Sequence, residues 1–315
     1  MESSSSLSLA IVFESPGFLR IYENGTVERL IDRGTVRPSS QDHNFDEEKE
    51  GVASKDVVLD PQTGVFVRLY LPRLDVTDAK QKVPLLVYAH GGGFCVESAA
   101  SPLYHSYLNK VATEATVICV SVEYRRAPEH RLPVAYDDCY GVLEWLERQA
   151  MALEGVSVDP WLASHADFRK VFLAGDSARA NIVHQIGIRA SQRKWDGLCL
   201  QGAILVHPFF GGQERIASEV GRNAQVEHLF KLVDGDWSTA GEKKKKQQKN
   251  SVQLVEQRIS KRGVLIAFKD FYIWYIRFFC CLKDCEGARV ETWDSLVNMQ
   301  LWKIIMEGIP HILYT

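Results

Sequence analysis

Two short stretches carry residues whose types and order could support nucleophilic chemistry. The first is His90-Gly91-Gly92-Gly93-Phe94, directly after the apolar run LLVYA. Glycines after a strand let backbone approach backbone or ligand closely, and amides freed from a sheet ladder can point together at one oxygen and stabilise charge on it. The same glycines also fit a ligand-free turn from strand to helix. The second stretch is Gly175-Asp176-Ser177-Ala178-Arg179, between the runs KVFLA and ARANIVHQIGIRA. A serine on a sharp strand-to-helix turn is lifted out of the sheet with its hydroxyl exposed, and the next amide faces the same oxygen. Taken alone, that serine also reads as a helix cap.

Both stretches need strands before them and helices after them, and the surrounding pattern supplies these. Short runs rich in β-branched residues occur at Val57–Leu59, Val65–Leu71, Leu85–Ala89, Thr116–Val122, Lys170–Ala174 and Ala203–Val206. The later runs are separated by segments long enough for helices, at about Pro102–Ala115, Pro133–Ala150 and Ala178–Ser191. That alternation predicts an α/β fold with a mostly parallel central sheet and helices on both faces. Pro133 and Asp137-Asp138 suit a helix start. Asn24-Gly25 within FLRIYENGTVERL predicts a tight hairpin. The polar, acidic segment 39–55 predicts a surface loop.

Composition narrows the function. Hydrophobic residues at 46%, charged at 24% and aromatic at 10% are near globular averages, which argues against collagen, coiled coil or disorder. Lys and Arg number 37 and Asp and Glu 40, a net charge of −3. That is too little positive bias for the phosphate neutralisation nucleic-acid binding requires, so no nucleic-acid partner is expected. Seven scattered cysteines suggest a reducing compartment, and Cys280, Cys281 and Cys285 lack a fourth well-spaced ligand, so no metal is expected. The opening MESSSSLSLAIVF has no basic lead-in for a secretory signal, so a cytoplasmic location is expected. Val264–Leu282 contains Lys269, Asp270 and Arg277 and makes a poor membrane span.

A glycine turn after one strand and a serine elbow after a later one is the layout of α/β-hydrolase lipases and esterases. The stretch from LLVYAHGGGFCVES to GVLEWL, then DPWLASHADFRKVFLAGDSARANIVH and ILVHPFFGG, resembles the plant carboxylesterase family of the hormone-sensitive-lipase branch. SPGFLRIYENGTVERL is similar to that family's opening arm, and the likeness runs from about residue 14 to 220. The resemblance implies a carboxylic-ester hydrolase acting on a small-molecule ester without a cofactor. It implies one domain over 1–315, with an arm contributing to a lid over 1–50 and a lid insertion over 209–260. Ser177 would attack, Gly92, Gly93 and Ala178 would supply oxyanion amides, and His90, Gly91, Gly175 and Asp176 would support the two turns. Two related functions stay open on the same scaffold. One is a non-catalytic small-molecule binder like the gibberellin receptors; the other is a dehydratase like those acting on isoflavonoids.

The chain departs from this pattern at two places. The family elbow ends in glycine, whereas residue 179 is arginine. A side chain there is expected to distort the elbow or swing outwards, and its charge to disfavour a protonated histidine nearby. Beyond Gly221 the character also changes, as if family sequence were partly replaced. The last 94 residues carry 15 basic and 11 acidic residues, one of eleven prolines and the basic run GEKKKKQQKN. Within this divergent part, 261–315, Asp270 after the strand-like KRGVLIAF is the candidate acid, or else an exposed carboxylate or helix cap. His311 in MEGIPHILYT is the candidate base, with His228 as the alternative. The aromatic residues of FKDFYIWYIRFF have helical spacing and are expected to form a core helix face. Glu123–His130 is expected to be a structural turn with buried ion pairs, and His105, His184 and His207 to be core histidines.

Overall fold

The computed structural model describes residues 9–31, 33–39, 51–74, 82–152, 157–206, 233, 263–267 and 274–276. Among these, three short strands, β1 (Ile11–Ser15), β2 (Leu19–Tyr22) and β3 (Val27–Arg29), form a small antiparallel sheet in the opening arm. The hairpin falls where Asn24-Gly25 places it. Gly25 at φ 82° closes the turn with its N–H on the Tyr22 carbonyl at 2.8 Å.

The remaining strands make the main sheet: β4 (Val52–Asp60), β5 (Val65–Pro72), β6 (Val83–Ala89), β7 (Ile118–Glu123), β8 (Ala166–Asp176), β9 (Leu200–Val206), β10 (Gly263–Ala267) and β11 (Trp274–Ile276). Their order is β11-β10-β9-β8-β6-β7-β5-β4. The ladders from β7 through β10 are parallel, and those of β4, β5 and β11 are antiparallel. The α/β-hydrolase class expected from the sequence is the fold observed. β6 and β7 are almost wholly buried because helices cover both faces, which explains their near-continuous apolar runs.

Those helices are α1 (Pro102–Ala115), α2 (Val134–Met151), α3 (Pro160–His165) and α4 (Ala178–Ala190). α1 buries Tyr104, Tyr107, Leu108, Val111 and Ala112, a stripe at helical spacing, against Leu86 and Tyr88. The alternate residues of β6, Leu85, Val87 and Ala89, face the opposite cluster, to which α2, α3 and α4 contribute Val142, Leu162 and Ile182.

Several local expectations change. The loop expected over 39–55 gives way to β4 at Val52, because Val52–Asp60 pairs with β5 and alternates inward and outward. α3, capped by Asp159, went unread because six residues are too few to show a helical period. Thr116 is not in a strand; it ends α1 in a left-handed conformation at φ 51°. Of the run FKDFYIWYIRFF, whose aromatic residues are expected as a helix face, only Trp274–Ile276 is described; it is a strand antiparallel to β10, where aromatic side chains also fit. Of the segment 209–260, expected as a lid insertion, only Val233 is described; it is buried, and its carbonyl accepts the Leu132 N–H at 3.0 Å.

Candidate active site

Open α/β sheets bind ligands outside the carboxyl ends of neighbouring strands whose connections leave towards opposite faces. β6 and β8 meet that condition. They are adjacent and parallel, with Ala89 level with Gly175; the chain leaves β6 for α1 on one face and β8 for α4 on the other. The glycine turn and the serine turn therefore open from the same sheet edge, side by side.

At the end of β8 the chain reverses within one residue. Ser177 sits at φ 54°, ψ −125°, a conformation that costs about 1–3 kcal/mol for a residue bearing Cβ. Two contacts hold it there. Its N–H donates to the Val206 carbonyl at 2.8 Å, tying the elbow to β9. A Cβ on Gly175 would lie 2.8 Å from the Arg179 carbonyl oxygen, so only glycine lets α4 approach this closely. The Ser177 side chain makes no capping bond to α4, which removes the helix-cap reading. Ala178 begins α4, where the first amides lack intrahelical acceptors.

Asp176 points the other way, into the protein. It accepts hydrogen bonds from the Tyr88 hydroxyl at 3.0 Å and the Tyr104 hydroxyl at 3.1 Å, and burial pushes its carboxyl up to about 6. Gly91 lies directly on this group: a Cβ there would stand 2.0 Å from the Tyr104 hydroxyl and 2.2 Å from an Asp176 oxygen. The two turns thus touch through Gly91 and Asp176. Tyr88 and Tyr104 were missed as site-supporting residues. Tyr88 could have been noticed as the one hydroxyl-bearing residue of the apolar run LLVYA before the glycines, whereas nothing in the sequence singles out Tyr104.

The glycine loop is strongly bent, with Gly92 at φ 119°, Gly93 at 60°, Phe94 at 63° and Glu97 at 66°. The Gly92 carbonyl accepts N–H groups from both Cys95 (3.1 Å) and Val96 (2.9 Å). His90 is fully buried, donates from Nδ1 to the Gly91 carbonyl at 3.1 Å and stacks on Tyr124 at 4.7 Å. Burial, with the nearby Arg179 charge, holds His90 well below the usual imidazole range, so it is neutral. Its Nε2 lies 3.8 Å from Glu123, too far for a hydrogen bond.

Arg179 does not swing outwards. It is fully buried, its guanidinium lies 5.0 Å from the centre of the Tyr124 ring, and Nη2 donates to the Val96 carbonyl at 3.1 Å. Burial lowers it to about 10, which leaves it cationic at neutral pH. Nε and Nη1 have no hydrogen-bond partner among the described residues. The elbow is preserved because the strand–helix approach is governed by Gly175, while the space beyond residue 179 opens towards the glycine loop.

The turn after β7 carries ion pairs, but they are partly exposed rather than buried as expected. Arg125 binds Asp138 at 2.6 Å, Arg126 lies 3.7 Å from Glu123, and Glu129 binds Arg29 of the arm at 2.7 Å. His105 packs against Tyr70 and Arg68 and is lowered to about 4, as is His184, in both cases chiefly by burial. Asp270, His311, His228 and His207 lie outside the described residues, as do Cys280, Cys281 and Cys285. Among the described residues no cluster of three or more His, Cys, Asp or Glu could hold a metal, and no helix is long and apolar enough to cross a membrane.

Residues 86–255 match a family described by its alpha/beta hydrolase fold. The chain is 40% identical over 230 residues to probable carboxylesterase 1 of Arabidopsis thaliana, covering 72% of this chain and 70% of that one. It belongs to the plant carboxylesterase family of α/β hydrolases. Within this family it is also 42% identical over 222 residues to tuliposide A-converting enzyme 2, chloroplastic, of Tulipa gesneriana, covering 70% of this chain but 53% of that enzyme's length. A 2-hydroxyisoflavanone dehydratase of Glycyrrhiza echinata is 40% identical over 219 residues, covering 69% and 65%. The chain thus spans between about half and seven-tenths of the length of these relatives. Among solved structures, carboxyl esterase 2 from Tuber melanosporum superposes with a TM-score of 0.51 at 18% identity, covering 69% of this chain and 66% of that one. At that identity the likeness concerns the fold alone.

Proposed function

We propose that this carboxylesterase-family chain is a serine esterase that hydrolyses small to medium carboxylic esters through an acyl-enzyme. The observation that carries the proposal is the backbone of Ser177, held at φ 54° and ψ −125° with its hydroxyl unused as a cap, beside the glycine loop. Packing maintains a strained conformation there for no evident structural return, which is the pattern of a functional residue. Ser177 attacks the ester carbonyl; Gly92, Gly93 and Ala178 hold the oxyanion, each donor contributing about 10²–10³ to turnover. His311 takes the proton and returns it to the leaving alcohol, with Asp270 orienting the imidazole, in the family's order of serine, acid and histidine. The relatives named carboxylesterase support this reading.

Hydrolysis of p-nitrophenyl acetate and butyrate tests it: saturable turnover lost in Ser177→Ala supports the proposal, and no turnover above buffer contradicts it. The dehydratase relative favours elimination as a second reading. Incubation with a 2-hydroxyisoflavanone separates the two, since dehydration without ester turnover would replace the esterase reading.

A further inference from the structure

Beyond the residues assigned above, we propose that Arg29, on the opening arm, is a positioning residue that sets the direction of the Gly93 amide; this rests on the esterase reading. In a trans peptide unit the C=O and the following N–H point in opposite directions, so fixing one fixes the other. Arg29 Nε donates to the Cys95 carbonyl at 2.6 Å. The other end of that peptide unit is the Val96 N–H, which donates to the Gly92 carbonyl at 2.9 Å. The other end of the Gly92 unit is the Gly93 N–H, directed away from the bend. Two peptide units therefore transmit the arm's grip to an oxyanion donor.

The neighbouring carbonyls are held as well. The Phe94 carbonyl accepts the Ala127 N–H at 2.9 Å, and the Val96 carbonyl accepts Arg179 Nη2 at 3.1 Å. Three successive carbonyls, 94 to 96, are thus pulled by three different parts of the chain. Arg29 is itself fixed by a paired contact with Glu129 at 2.7 and 2.9 Å and by the Ala127 carbonyl at 3.2 Å. A planar, always-charged fork suits this task, because it can hold a carbonyl and a carboxylate together. The bend needs such support: Gly92, Gly93 and Phe94 all lie at positive φ, and one of them bears a side chain.

The test compares Arg29→Met and Arg29→Lys with the full-length wild-type chain. Arg20→Met is the control, since Arg20 lies on the same arm but pairs with Glu14 and Glu28. Kinetics on p-nitrophenyl butyrate are read with thermal unfolding and with inhibition by a trifluoromethyl ketone, whose hemiketal adduct with Ser177 mimics the oxyanion. Arg29→Met is expected to lose about tenfold or more in kcat with KM within about twofold, and to weaken ketone inhibition by a similar factor. Arg29→Lys should recover part of both, and Arg20→Met should match wild type. A folded Arg29→Met with wild-type kcat and ketone affinity, beside an active wild type, would overturn this inference and leave the esterase reading standing. A wild-type chain that neither turns over ester nor binds the ketone would overturn both.

Discussion

The two turns that face each other across β6 and β8 hold strained backbone by different means. The elbow concentrates its strain in Ser177 and secures it by steric fit, with Gly175 against the α4 backbone and one hydrogen bond to Val206. The glycine loop spreads positive φ over Gly92, Gly93, Phe94 and Glu97 and relies on hydrogen bonds from Arg29, Ala127 and Arg179. Packing is intolerant of added volume, whereas a hydrogen-bonded loop is intolerant of lost donors. The elbow should therefore fail through stability and the loop through turnover.

Gly91, where the two turns touch, should give the largest effect. Gly91→Ala drives a Cβ into Asp176 and Tyr104, so it should lose soluble folded protein or at least about 3 kcal/mol in denaturant unfolding. Gly175→Ala meets backbone, which cannot rotate away, and should cost about 1–3 kcal/mol with turnover falling in parallel.

Arg179 sharpens the contrast because it belongs to the elbow and serves the loop. Arg179→Gly restores the family residue but empties a buried volume, and should lower stability by about 3 kcal/mol. Arg179→Met fills that volume without the buried, incompletely paired charge, and should hold or raise the unfolding free energy by about 1–3 kcal/mol. Its kcat should nevertheless fall, because the Val96 carbonyl loses its donor. A more stable and equally active Arg179→Met would mean that the loop does not need this brace.

The smallest effect is on pH dependence. His105 and His184 are lowered to about 4 and His90 is also well below normal, so the unfolded chain binds their protons first, at about pH 6.5. Stability must rise with pH across that window. Asp176 opposes this: its carboxyl is raised from 3.8 to about 6, so it contributes stability at acid pH that is lost as pH rises through about 6. Glu123, likewise raised by burial, opposes them in the same sense. Three imidazoles outweigh two carboxylates, and unfolding midpoints should fall between pH 7 and pH 5. In Asp176→Asn the fall should be steeper, since one of the opposing groups is gone.

Much of this was legible in the residues. The apolar runs placed β5, β6, β7 and α1 within two residues of their observed bounds, because buried parallel strands and amphipathic helices leave strong local patterns. HGGGF and GDSAR announced the two turns through residues whose backbone demands are particular. Arg29 gave no signal, since VERL reads as any strand end and its partners lie 66 to 100 residues away. Arg179 misled for the complementary reason: the clash argued at residue 179 occurs at Gly175, and only tertiary packing shows which of two glycines in a motif bears the contact. The helical spacing read around Tyr275 gave way, over Trp274–Ile276, to a strand paired with β10.

The most direct test of the account is covalent labelling of the folded chain with a fluorophosphonate, followed by peptide mapping. Stoichiometric modification of Ser177, absent in Ser177→Ala, is the predicted result. A folded wild-type chain that leaves Ser177 unmodified, or carries the label on another residue, would contradict it.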